Sequence, residues 1–394
     1  MRVARTLVVV LVLGLGACGQ EEARGGASSP LELAHANAAS GMVKTVPEIS
    51  VTPDPGSRSA RPDRDVVVRA YRSRLTRVTV APDDGRELEG RLAADGSLWR
   101  SRQLLRTAET YTVSAWAIDT TGKEIFSTSS FRTLTPRATI SASVTPLTGS
   151  TVGVGMPVIV SFGVPVRDSA RSSVLKALKV TSTPKVKGAW RWMSSQQVQW
   201  RPRSYWPSGT KVTVTRDLRG LELSPGYWGG VSHTVRFRIG AAMVSTVDVD
   251  AHTLTVRRNG SVVRTIPITT GKRGFETRNG VKVIMTRERT RRMRAETTGI
   301  DKDDPEYYDL VVDYAMRLTH SGEFLHAAPW SVGSQGHANV SHGCTGMSTA
   351  NARWLYDNSS IGDVVIYKGS PRPLEWGNGY TAWQKSFAEW ARGS

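Results

Sequence analysis

Cys344 stands in Ser341-His342-Gly343-Cys344-Thr345-Gly346, with His326 and His337 a short way upstream. A thiol attacks a carbonyl only as the thiolate, and a nearby imidazole is the usual means of deprotonating it near neutral pH. On that chemistry, loss of the base should raise the thiol toward its free value of about 8.5. Gly343 and Gly346 leave backbone N–H groups uncovered by side chains, suited to holding a developing oxyanion. No serine sits in a Gly-x-Ser-x-Gly elbow, and the only other cysteine is Cys18. Cys344 is therefore the candidate nucleophile by elimination. Spacing alone does not say which of His326, His337 and His342 meets the sulfur.

The same residue types serve metals, but the spacing does not suit them. Structural zinc uses paired ligands in two clusters, and no second cysteine pair is present. Asp301, Asp303, Asp304 and Glu306 lack the glycine and terminal glutamate of a calcium loop and read as solvated charges. No metal and no cofactor is expected, since thiolate attack and amide protonation need only Cys and His.

The elements that must position this loop lie in a chain of 394 residues, too long for one core. Residues 46–135 show short alternating strands such as Tyr111–Trp116, with turns at Asp84-Gly85, Asp95-Gly96 and Thr121-Gly122. Trp99-Arg100-Ser101-Arg102 followed by Tyr111-Thr112-Val113 matches Trp200-Arg201-Pro202-Arg203 followed by Val212-Thr213-Val214 at the same spacing. Phe131-Arg132-Thr133 matches Phe237-Arg238-Ile239. Two related antiparallel sandwiches follow, 46–135 and 136–240, their tryptophans core residues rather than sugar platforms. From 241 to 369 a β-meander with a hairpin at Asn259-Gly260 leads to the cysteine loop and a short helix over Ser348–Asp357, with Ala352 and Leu355 inward. In 370–394, Trp383, Phe387 and Trp390 recur at helical spacing and should dock as one stripe.

The formal charge of +18 favours polyanions in general. The densest run, Arg287 to Arg294, has no interleaved aromatics for base stacking, so nucleic acid is not an expected partner. At the start, Arg2 and Arg5 precede an apolar run, Leu7–Leu15, too short to span a bilayer, and Leu15-Gly16-Ala17-Cys18 follows it. Residues 1–18 read as a lipoprotein signal with Cys18 lipidated, and 19–45 as a flexible tether. The expected location is the outer face of the cytoplasmic membrane, with the lipid as anchor.

His326-Ala327-Ala328-Pro329-Trp330, Gln335-Gly336-His337, the cysteine loop and Trp354 resemble the signature of L,D-transpeptidases with a YkuD-type catalytic domain. The likeness extends through Asn279-Gly280-Val281, Met293, Tyr308 and Ser321-Gly322 to the mycobacterial-type members with two immunoglobulin-like domains. It implies a mainly β chain, two immunoglobulin-like sandwiches before a β-rich catalytic domain with a C-terminal subdomain packed on it. It implies Cys344 as nucleophile, His326 as base oriented by the backbone carbonyl of Ala327, and His342 lining the substrate pocket. Tyr308 and the amides of Gly343 and Cys344 match the oxyanion set. Ser321, Gly322 and Trp330 match the substrate cleft, and Met293 a lid over 286–307. Gly346 departs from the side-chain amide common there, removing one substrate hydrogen bond. The implied activity is 3→3 cross-linking of peptidoglycan stem peptides through a thioester, with carbapenems as inhibitors. An L,D-carboxypeptidase using water, and a non-catalytic wall-binding lipoprotein, are the competing readings.

Overall fold

The computed structural model describes residues 46, 48–83 and 85–393; Cys18 and the tether lie outside them. In the first sandwich, strands Glu48–Thr52, Val67–Tyr71, Leu98–Ser101 and Gly90–Leu92 form one sheet, and Ser73–Pro82, Thr110–Asp119 and Glu124–Arg132 the other. Alternation sends Tyr111, Val113, Ala115 and Ala117 into the core between them. Gly96 and Gly122 take positive φ at hairpin turns. Gly85 does not belong to a hairpin, because the chain there leaves Ser73–Pro82 for the opposite sheet.

The second sandwich repeats this plan with additions. Thr151–Val152, His233–Ile239, Lys211–Arg216 and Leu178–Thr183 face Gly188–Ser194, Gln197–Pro202, Val158–Ser161 and Ser143–Thr145. A helix, Asp168–Ala177, is inserted that the strand pattern did not reveal. The sequence repeat is a structural one: Tyr111 pairs with Phe131 in the first sandwich, and Val212 with Phe237 in the second. Trp99 and Trp200 are both buried. Each needs a glycine on the neighbouring strand, since a Cβ at Gly90 would lie 1.9 Å from Trp99 and one at Gly188 2.1 Å from Trp200.

The remainder holds two sheets. Ser261–Pro267, Thr253–Arg258, Met243–Asp248, Val364–Lys368 and Gly280–Val283 make the first, and Thr286–Arg294, Asp309–Arg317, Phe324–Ala327 and Thr345–Met347 the second. Val247, Leu254, Ile266, Met316, Leu325 and Met347 fill the core, joined by Ala352 and Leu355 of the helix Thr349–Asn358. Ser348 caps that helix by accepting from the Asn351 amide. The arginine-rich run is the strand Thr286–Arg294, where aromatic rings and acids take up several guanidiniums: Arg289 lies over Tyr314, Arg291 bonds Glu288 and Arg292 bonds Asp309.

The C-terminal stripe is not one helix. A 3-10 turn, Thr381–Gln384, ends at Lys385, and a new helix, Phe387–Ala391, starts from a capping box between Ser386 and Glu389. Nor does the segment pack on the catalytic part alone. Trp390 and Trp383 donate to the carbonyls of Ala189 and Gly155 in the second sandwich, while Leu374 bonds Asn279 beside the active loop. The buried Arg201 donates to Lys385 O and sits over the rings of Trp383, Phe387 and Trp390. Two structural parts are thereby strapped by one segment. Among the described residues no helix is long and apolar enough to cross a membrane.

Candidate active site

Parallel pairing of Phe324–Ala327 with Thr345–Met347 sets His326 opposite Gly346, with Cys344 at the mouth of the second strand. Both line a cavity of about 310 Å³ with Met293, Tyr308, Trp330, His342 and Gly346. Seven of the residues singled out in the sequence therefore meet in one space. Of the others, Gly343 takes φ +119 and turns the chain into Cys344, while its carbonyl accepts from Thr277. Gly322 offers its carbonyl to the thiol at 3.6 Å. Ser321 does not line the cavity. Its amide and hydroxyl bond Asn378 of the C-terminal segment, which gives it an anchoring place rather than a cleft position. His337 is exposed and apart from the site. Among the described residues no three His, Cys, Asp or Glu side chains converge as for a metal.

His326 is buried and its Nδ1–H donates to Ala327 O at 2.7 Å. Alanine therefore serves where only a carbonyl is needed. That bond fixes the tautomer and leaves Nε2 as a lone pair. Burial lowers the pKa of the imidazole, opposed by the Ala327 bond, so it is a neutral base at neutral pH. Trp330, 60% exposed, stacks on the ring at 6.1 Å and covers it at the cavity mouth.

Cys344 is only half-buried as a residue, yet its sulfur is enclosed, and burial pushes the thiol up to about 12. Burial thus acts against the lowering by imidazole that the composition of the loop suggests. Cys344 rests as thiol and His326 as neutral imidazole at neutral pH, because a desolvated charge costs more than its neighbours return.

His342 is held differently. Its Nε2 meets Glu306 Oε2 at 2.7 Å, and Lys272 reaches the same oxygen at 2.5 Å. Phe275 and Tyr308 pack on its ring at 4.7 and 5.0 Å. Glu306 is thus part of the site and not a free solvated charge. The Lys272 and His342 bonds hold its carboxyl below the usual range. Glu306 belongs to the loop 295–308, whose base is closed by the Ala295 amide on Tyr308 O. Met293 is the penultimate residue of the strand before that loop, which ends at Arg294, so the lid reading narrows from 286–307 to the part after Arg294. Burial first, then the neighbouring thiol, raises the Tyr308 phenol, which stays a proton donor.

Beneath the cysteine lies a buried cluster that sequence reading missed. Glu323 joins Lys282 at 2.5 Å and Arg278 at 3.2 Å. Nothing in the local sequence pairs residues so far apart. At Gly346 a Cβ would stand 2.9 Å from Ala328 Cβ and 3.2 Å from Thr269. The glycine allows that close approach.

Fold and site together define a YkuD-type catalytic part behind immunoglobulin-like sandwiches. The family model of the L,D-transpeptidase catalytic domain matches residues 242–366, and that of a bacterial Ig domain matches 57–222. L,D-transpeptidase 2 of Mycobacterium tuberculosis (strain CDC 1551 / Oshkosh) is 34% identical over 359 residues, 91% of this chain and 86% of that protein. L,D-transpeptidase 1 of Mycobacterium tuberculosis (strain ATCC 25618 / H37Rv) is 40% identical over 228 residues, 58% of this chain and 84% of that one. A solved structure of LD transpeptidase LdtMt1 in complex with imipenem superposes with TM-score 0.51 at 38% identity, over 59% of this chain and 100% of that chain. The chain belongs to the L,D-transpeptidase family.

Proposed function

We propose that this protein is a peptidoglycan L,D-transpeptidase that forms 3→3 cross-links through a thioester on Cys344. The observation that carries this reading is a neutral, tautomer-fixed His326 lining the same cavity as the one thiol among the described residues. Sγ attacks the carbonyl of the third stem residue as its proton passes to His326 Nε2. A tetrahedral oxyanion forms, opposite the Cys344 amide and the protonated Tyr308 phenol. Collapse breaks the C–N bond, and the terminal D-alanine leaves with the proton returned by His326. The acceptor stem's amine then attacks the thioester, gives its proton to His326, and the thiol is released.

No cofactor enters any step. The apolar walls of Met293, Leu310 and Val340 suit an acyl chain. A carbapenem carbonyl would acylate the same sulfur, in keeping with the imipenem complex of the related protein. The same proposal takes the N-terminal apolar run and Cys18 as a lipid anchor, so Cys18→Ala should free the protein from membranes and leave turnover by the soluble part intact.

Product analysis tests the assignment. Tetrapeptide stems should give 3→3 dimers and free D-alanine in equal amounts. Tripeptide alone would mean that water is the acceptor, and no D-alanine release would end the reading.

A further inference from the structure

The buried ion pair under the cysteine takes no part in the scheme above, yet its placement bears on it. Lys282 is 1% exposed and Glu323 4%. Glu323 stands between Gly322, whose carbonyl accepts from the thiol, and Phe324, whose backbone N–H donates to the sulfur. Its Oε1 accepts from the Arg278 amide and guanidinium, and its Oε2 from Lys282 Nζ. A Cβ built on Gly343 would lie 4.0 Å from Oε1, so the carboxylate runs directly beneath the nucleophile's backbone.

A thiolate formed there meets a like charge across a desolvated gap, where repulsion is strong. The other groups that act on the sulfur or share its cavity are Arg317, His326, His342 and the phenols Tyr308 and Tyr367. Glu323 disfavours the thiolate, and Lys282 opposes it with Arg317 behind. Resting on the reaction assigned to Cys344, we propose that Lys282 is a positioning residue: by neutralising Glu323 it lets a thiolate develop above a carboxylate that pins the Gly322 and Phe324 backbone to the sulfur.

The arrangement has a consequence in pH. Lys282 is drawn down to about 8, chiefly by burial, with Glu323 opposing. As pH rises past that point the ammonium loses its proton and Glu323 keeps only Arg278 on Oε1, so acylation falls on the alkaline side while solvent would favour thiolate.

The test uses the purified protein, wild type and with Lys282→Met, Lys282→Arg, Glu323→Gln and the double change Lys282→Met with Glu323→Gln. Two readouts are taken: the pH profile of Cys344 alkylation by iodoacetamide, and kcat and KM for a tetrapeptide stem. Lys282→Met should slow alkylation and kcat at pH 7 by about tenfold or more, with KM changed by less than about threefold. Glu323→Gln should move the alkylation profile to lower pH and abolish the alkaline fall. The double change should return the rate to within about threefold of Glu323→Gln, and Lys282→Arg should keep most of the wild-type rate. A double variant as slow as Lys282→Met overturns the proposal, since a packing defect is not relieved by a second one. If Lys282→Met does not fold, Glu323→Gln decides alone, and an unchanged profile overturns it. Alkylation reads the thiol without peptide, so failure of the peptidoglycan assignment would appear separately, as absent turnover with the alkylation pattern intact.

Discussion

Replacing His326 by alanine tests the resting state of the site. With the thiol at about 12, about one molecule in 10⁵ carries thiolate at pH 7, against about one in 10² at the ordinary value of 9.0. Burial thus withholds about a thousandfold of nucleophile, and a base at Nε2 must supply the difference during attack. General-base catalysis of this kind is worth about 10²–10⁴. His326→Ala should therefore lose that range in acylation by carbapenem and peptide alike. Stopped-flow acylation and iodoacetamide alkylation between pH 5 and 10 provide the assay. In the variant, alkylation should climb in proportion to hydroxide up to about pH 8, where Lys282 loses its proton, with no plateau below the free-thiol value of about 8.5. In the wild type, acylation should persist below the ordinary imidazole range, because the lowered pKa of His326 keeps Nε2 unprotonated there. A variant plateau at or below the free-thiol value, or a rate unchanged by the substitution, would refute a neutral resting pair.

Three further outcomes follow from other contacts. Glu306→Gln removes the charge that holds His342 and Lys272 together, so KM for the stem peptide should rise with the loop 295–308 loosened, and hydrogen exchange there should quicken; unchanged exchange would detach Glu306 from the lid. Asp363 is buried with Oδ1 unpartnered and is pushed up to about 7, chiefly by burial. Because its folded pKa lies above the ordinary 3.8, stability is greatest below that value and declines as pH rises through 7. At about 1.4 kcal/mol per pH unit the ceiling is about 4 kcal/mol. Asp363→Asn should thus melt closer to, or above, the wild type at pH 8 than at pH 5, and parallel melting curves at the two pH values would contradict this. Trp390→Ala empties a fully buried site that bonds Ala189, a loss of about 3–5 kcal/mol, read as a fall in melting temperature; a loss under about 1 kcal/mol would show that the strap carries little load.

Local periodicity made much of this molecule legible. Alternating residues marked the sandwiches, and Trp99 and Trp200 with their downstream strands gave a repeat that the paired registers reproduce. The cysteine loop identified itself because glycine, histidine and cysteine adjoin in sequence. What escaped depends on distance along the chain: Glu306 reaches His342, and Lys282 reaches Glu323, across tens of residues without any local pattern. The helix Asp168–Ala177 was missed because a sandwich pattern surrounds it. The break at Lys385 was readable, since Ser386-Phe387-Ala388-Glu389 is a capping-box sequence that starts a helix within the apolar stripe. The thiol's pKa was not readable, because it follows from enclosure and not from the identity of its neighbours.

Intact-protein mass spectrometry during turnover of a tetrapeptide stem tests the central claim most directly. The wild type should gain the mass of the stem less D-alanine, localised to Cys344, and lose it when acceptor stem is added. Cys344→Ala should show neither adduct nor product. Cross-linked product from Cys344→Ala, or wild-type turnover with no adduct at any time, would contradict the thioester account.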